Sequence, residues 1–202
     1  MPDLYDAFSE LSRHEKAGRD YEVLARTGRT GIAVMAPHGG RIEPGTDVIA
    51  DAIAGNEHSF FAFRGIKKSG NAALHMTSTR FDEPVATRIL EHTHIAVVIH
   101  GSRDRGERID VGGLHEPLAE AIMRSLGEKG LKAGRASAAG MKGVHPKNLC
   151  NRCQTGKGVQ LEVSRGIRDL FPDGLFSSFL PFEGLAAAFV EGVREVLSCA
   201  RP

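Results

Sequence analysis

The sequence predicts an α/β fold, a three-layer αβα sandwich in which a mixed, mostly parallel sheet lies between helices. Two observations carry this. Residues 32–36 (Ile-Ala-Val-Met-Ala) and 95–99 (Ile-Ala-Val-Val-Ile) are continuous apolar runs, the pattern of strands buried on both faces. Around them lie segments whose apolar residues recur every three or four positions, and strands alternating with helices imply a sheet covered on both sides. A length of 202 residues suits one sizeable core, so a single domain over 1–202 is expected.

Taken in order, residues 4–14 place Leu4, Ala7, Phe8 and Leu11 on one helical face. A strand follows at 21–25. The buried strand at 32–36 is bounded by Gly31 and Pro37 and leads at once into His38-Gly39-Gly40. Thr46 is expected to cap a helix carrying Val48, Ile49, Ala52 and Ile53. Residues 59–63 read as a strand, and 84–92 as a helix with Val85, Ile89 and Leu90 inward. The second buried strand ends in His100-Gly101, so both buried strands end in His-Gly. A helix over 114–126 should stop near Gly127. Along 159–163, Val159, Leu161 and Val163 share one face and Glu162 takes the other. Phe182, Leu185, Ala186, Phe189, Val190, Val193 and Leu197 recur at helical spacing and form a closing helix.

Composition removes several classes. With 41% hydrophobic and 25% charged residues the chain is neither disordered nor fibrous. The longest apolar run, 185–190, is far short of the roughly 18 residues of a membrane span. The opening Met1-Pro2-Asp3-Leu4 has no basic segment leading into an apolar one, so a cytoplasmic product without a membrane partner is expected. A net charge of +1 selects no partner, yet no acid lies between Glu128 and Glu162, where Lys129, Lys132, Arg135, Lys142, Lys147, Arg152 and Lys157 all fall. That stretch suits an anionic ligand, or else is a solvated face with counter-charges from elsewhere. It contains no aromatic residue and offers bases no stacking platform, so nucleic acid is not an expected partner. The pair Cys150 and Cys153 reads as two reduced thiols. Glu107-Arg108 after Gly106 excludes a phosphate loop, and there is no G-x-S-x-G elbow.

Side chains at the carboxyl ends of parallel strands face the crevice where α/β proteins bind ligands, and both His38 and His100 are expected there. Either alone would read as structural. Glu43, however, lies five residues past His38 across two glycines that permit a sharp reversal. Two His and one Glu are a ligand set for a catalytic zinc with an open position, although His-x4-Glu is not a helix-borne zinc signature. Such a site needs a carboxylate to take and return the proton of a water. Glu162 is the candidate, the alternative being a solvent-facing Glu on an edge strand.

The segments APHGGRIEPGT (36–46), LHMTSTRFDEP (74–84), VVIHG (97–101), VGGL (111–114) and GVQLEVSRGIRD (158–169) together resemble the phage and prophage-derived poly-γ-glutamate hydrolases, sometimes labelled phage-related replication proteins. The resemblance runs over nearly the whole chain. It implies a zinc peptidase with a compact carboxypeptidase-like fold, one Zn2+ on His38, Glu43 and His100, and Glu162 as general acid/base. Its substrate would be an anionic γ-glutamyl polymer or peptide, and a phage-encoded enzyme would be released on lysis. A polymer bearing free α-carboxylates needs cationic partners; Arg165 is the first candidate contact and Arg103 the second. The 129–157 stretch would then line the approach. His75 is expected to order its own segment by hydrogen bonding, or to face the substrate. A monomer is expected. Alternative activities are an amidohydrolase of a small N-acyl amino acid or of a peptidoglycan-type γ-glutamyl linkage, and a non-enzymatic nucleic-acid-binding role.

Overall fold

A computed structural model describes residues 3–172 and 182–200. Seven strands form one sheet: β1 (Tyr21–Arg26), β2 (Ile32–Gly40), β3 (Ser59–Gly65), β4 (Ile95–Gly101), β5 (Arg108–Gly113), β6 (Lys132–Arg135) and β7 (Val159–Val163), in the order β1-β3-β2-β4-β7-β5-β6. The pairs β3/β2, β2/β4, β4/β7 and β5/β6 are parallel, and β1/β3 and β7/β5 antiparallel. The helices are α1 (Phe8–His14), α2 (Thr46–Ala54), α3 (Pro84–Glu91), α4 (Glu116–Glu128), the single turn α5 (Arg165–Arg168) and α6 (Gly184–Cys199). No helix among the described residues is long and apolar enough to cross a membrane.

Alternation along the strands sorts the core into two. Ile32, Val34, Val97, Ile99, Leu161 and Val163 face one way and pack with α2, α4 and α6. Ala33, Met35, Ala96 and Val98 face the other and pack with Leu11 of α1, Leu90 of α3 and the Phe61, Phe63 and Phe81 rings. The central strands are therefore apolar on both faces, as their sequences predict. Each fully buried Leu, Ile or Phe contributes about 1.5–3 kcal/mol.

Local sequence explains the departures from expectation. The first helix begins only at Phe8: Asp3 is held by the Thr77 amide and by Arg80, which keeps Leu4 off the helix and 62% exposed. Thr46 is not the cap of α2. Gly45, with φ +91°, precedes the helix, and the Thr46 hydroxyl bonds back to the Glu43 carbonyl at 2.9 Å. β5 and β6 carry no periodic apolar signal, because Arg108-Ile109-Asp110-Val111-Gly112-Gly113 and Lys132-Ala133-Gly134-Arg135 are short and glycine-rich. β7 is consequently an interior strand between β4 and β5, so Glu162 does not sit on a sheet edge.

The feature that positions the site is an irregularity in β2. Pro37 has no N–H to give the ladder, and the β2/β3 register shifts between Ala36 and Gly39. The β2/β4 pairing stops at Met35 and Val98, so β2 and β4 part at their carboxyl ends. The chain then reverses through Gly40, which takes φ +62° with the position of a Cβ only 2.5 Å from the Gly65 carbonyl oxygen. Gly40→Ala is therefore expected to lose about 1–3 kcal/mol, whereas Gly70→Ala, at φ +74° with nothing within 4 Å, should lose less. Denaturant unfolding of the two variants measures the difference.

Candidate active site

The reversal after β2 carries Glu43 back to His38. The Glu43 amide donates to the His38 carbonyl at 2.8 Å, and the Glu43 Oε1 lies 3.3 Å from His38 Nδ1. From the end of β4, His100 Nδ1 approaches to 3.2 Å from His38 Nδ1 and 3.8 Å from Glu43 Oε2. The three side chains expected to converge do so. His38 Nε2 donates to the Met76 carbonyl at 2.8 Å, which turns Nδ1 toward the cluster. His100 Nε2 is buried without a partner among the described residues. An imidazole so placed, with one nitrogen unbonded and the other facing a second ring nitrogen, is costly as a structural element.

This donor set fits a metal ion. Zinc bonds of about 2.0–2.1 Å in tetrahedral array hold neighbouring donors roughly 3.3 Å apart, close to the separations of His38, Glu43 and His100. His75 is also near: ligand atoms of His38, Glu43 and His75 lie within 4.8 Å of one another. Its ring, however, stacks on that of His38 at 4.1 Å and 29°. A ligand nitrogen binds a metal in its ring plane, so two nearly parallel rings cannot aim at one point, whereas His38 and His100, tilted at 56°, can. His75 instead donates Nδ1–H to Asp3 at 2.8 Å and faces the cleft.

Electrostatics divides the two carboxylates. Burial alone would raise Glu43, but His38, His100 and the Gly101 amide hold it at about 2. Burial, followed by the Glu43 charge, pushes Glu162 up to about 8. Burial opposes charge on His38, yet Glu43 and the Met76 carbonyl raise it on balance; burial and His38 push His100 down to about 3. Sheet register places Glu162 opposite His100 on β4 and opposite Asp110 on β5. Its neighbour Asp110 is a residue the sequence reading passed over.

A cleft of about 1130 Å³ opens over Glu43 and His75. Its lining includes Arg103, Arg105, Arg165 and Arg168 together with Leu4, Ile42, Ala72 and Ala73. Arg165 pairs with Asp169 at 2.5 Å. Arg103 and Arg105 have no ion-pair partner among the described residues, and Arg105 lines the cleft with the two arginines expected there. Arg168 is structural: it donates to the carbonyls of Val163 (3.0 Å), Pro44 (2.5 Å) and Ser102 (2.7 Å), and Gly101 leaves room for its guanidinium.

The basic stretch 129–157 does not line this cleft. Lys129 pairs with Glu195, Arg135 with Glu116 and Glu120, and Arg152 bonds the Phe81 carbonyl, so two of its seven cations meet carboxylates of helices elsewhere in the chain. Cys150 and Cys153 are both free and buried.

Residues 5–180 match the family model described as poly-gamma-glutamate hydrolase. The Bacillus subtilis (strain 168) protein YmaC is 36% identical over 87% of this chain and 75% of its own length. A bacteriophage poly-gamma-glutamate hydrolase structure superposes with a TM-score of 0.89 at 32% identity, covering 98% of this chain and 97% of its own. A zinc-free apo structure of YndL gives 0.88 at 32% identity, with 98% of each chain covered.

The raised pKa of Glu162 has a definite sign in stability. An unfolded Glu titrates near 4.5 and the folded one at about 8, so this group's contribution is complete below pH 4.5 and is lost as pH rises toward 8. Metal-stripped protein should therefore lose a few kcal/mol between pH 5 and 8. Glu162→Gln should flatten that slope, as read by urea unfolding in chelator.

Proposed function

The chain belongs to the poly-γ-glutamate hydrolase family, and from that premise we propose that it is a zinc-dependent hydrolase cutting the γ-glutamyl amide bonds of an anionic polymer. The observation that carries the reading is the convergence of His38, His100 and Glu43 at distances of 3.2–3.8 Å beneath an arginine-lined cleft. His38 Nδ1, His100 Nδ1 and the Glu43 carboxylate would hold one zinc, which supplies a Lewis acid for the amide carbonyl and lowers the pKa of a water.

The remaining steps belong to the chain's own side chains. Glu162 accepts the proton of the attacking water as its oxygen bonds to the amide carbon, then returns that proton to the nitrogen as the C–N bond breaks. A zinc ion on the neighbouring ligands would offset the Glu43 charge and so favour an ionised Glu162 before the attack, while its buried setting favours holding the proton between the two steps. Arg103, Arg105 and Arg165 meet the α-carboxylates of the polymer, and Leu4, Ile42, Ala72 and Ala73 face the methylene groups that separate them. A γ-glutamyl chain presents both kinds of surface in every repeat, which is why this cleft suits it better than a nucleic acid.

Metal analysis should find about one zinc per chain, lost in His38→Ala and His100→Ala. Incubation with poly-γ-glutamate should drop its viscosity early; unchanged viscosity with release of small acids would point instead to an amidohydrolase of small substrates. Glu162→Gln should keep the zinc and lower kcat by about 10²–10⁴-fold. Arg103→Glu with Arg105→Glu should raise KM by roughly tenfold or more, with a smaller effect on kcat and a weaker dependence of KM on salt.

A further inference from the structure

Glu162 ends a chain of buried amides. Gln160, two residues earlier on the same face of β7, donates Nε2–H to Glu162 Oε1 at 2.8 Å and to the Met141 carbonyl at 3.1 Å. Its Oε1 accepts from Asn148 Nδ2 at 2.9 Å. Asn148 Oδ1 in turn accepts from the Cys150 amide at 3.1 Å and the Ser78 hydroxyl at 3.2 Å. Gln160 is 2% and Asn148 6% exposed, so no solvent competes for these bonds.

The orientation of both amides is dictated by backbone groups that cannot change role. The Cys150 N–H can only donate, so Asn148 presents its oxygen there and its nitrogen to Gln160. The Met141 carbonyl can only accept, so Gln160 presents its NH2 on that side and its oxygen to Asn148. Both requirements agree, and all of Gln160's hydrogen-bonding atoms are committed. Gln160 is thus a donor to Glu162 whatever the charge on that carboxyl, and it cannot accept a proton from it.

We propose that Gln160 is a positioning residue for the acid/base. By keeping Glu162 Oε1 a permanent acceptor, it confines the travelling proton to Oε2 and fixes the carboxyl in one rotamer. The proposal rests on the acid/base reading of Glu162 given above. It also assigns a role to Asn148 and to the turn at Leu149–Arg152, which together hold Gln160 in its donating sense.

The test compares wild type, Glu162→Gln, Gln160→Met and Asn148→Asp as zinc-loaded full chains on poly-γ-glutamate. Gln160→Met keeps the volume and removes the donor. Asn148→Asp leaves Gln160 in place but removes the amide donor that holds its oxygen, so Gln160 is no longer fixed in its donating sense. Both should lower kcat by about 10- to 100-fold with KM within about threefold, while zinc content stays near wild type; each leaves buried polar atoms unpaired, so a lower thermal unfolding midpoint accompanies the change. Unchanged kcat in folded, zinc-loaded Gln160→Met overturns the proposal, as does a fall in kcat that comes with lost zinc. If Gln160→Met does not fold, Asn148→Asp decides: wild-type kcat overturns the proposal and the selective loss supports it. A wild type that cleaves no γ-glutamyl amide, or a fully active Glu162→Gln, overturns the underlying reading and this proposal with it.

Discussion

Two imidazole nitrogens, His38 Nδ1 and His100 Nδ1, stand 3.2 Å apart in an interior with almost no access to water, and one carboxylate lies against both. In the bare protein one ring nitrogen can donate its proton to the other across this gap; with both Nδ1 atoms deprotonated, their electron pairs and the carboxylate would face one metal ion. Much of the local architecture serves that convergence. The irregularity at Pro37 swings His38 out of the β2/β4 pairing, Gly40 lets the chain return with Glu43, and the Met76 carbonyl fixes the His38 ring.

The same cluster gives its two carboxyl groups opposite characters. Glu43 lies beside the His38 and His100 rings and a backbone amide, and holds its charge down to about 2. Glu162 is buried and repelled by Glu43, and holds its proton up to about 8. Surroundings that push two acids apart in this way would suit one to hold a cation and the other to carry a proton. The difference arises from placement, since the two side chains are identical.

The sequence made legible what depends on local pattern. The apolar runs before His38 and His100 marked two central strands and the crevice at their ends, and the glycines before Glu43 marked the return of its carboxylate. Alternation along Val159–Val163 put Glu162 on the face opposite the apolar residues. What stayed hidden depends on pairing. β5 has too little apolar character to announce itself, so neither the antiparallel register that sets Asp110 beside Glu162 nor the interior position of β7 was visible. Gln160 carries no signal in the sequence because its partners come from segments 12 and 19 positions away. The Asp169 that pairs with Arg165 lies one helical turn away, a spacing visible in the sequence; that Arg103 and Arg105 have no ion-pair partner among the described residues was not. The acid-free stretch misled because its counter-ions, Glu116, Glu120 and Glu195, belong to helices elsewhere in the chain.

Arg168 binds the carbonyls of Pro44, Ser102 and Val163 at once, and these three peptide groups lie just past Glu43, His100 and Glu162. A single planar cation therefore sets the spacing between the segments that carry the acidic and imidazole groups. A lysine, with one compact charge, has no equivalent fork to span three such directions. Under the proposed function, a polymer entering the cleft would meet a floor braced at three points by one side chain.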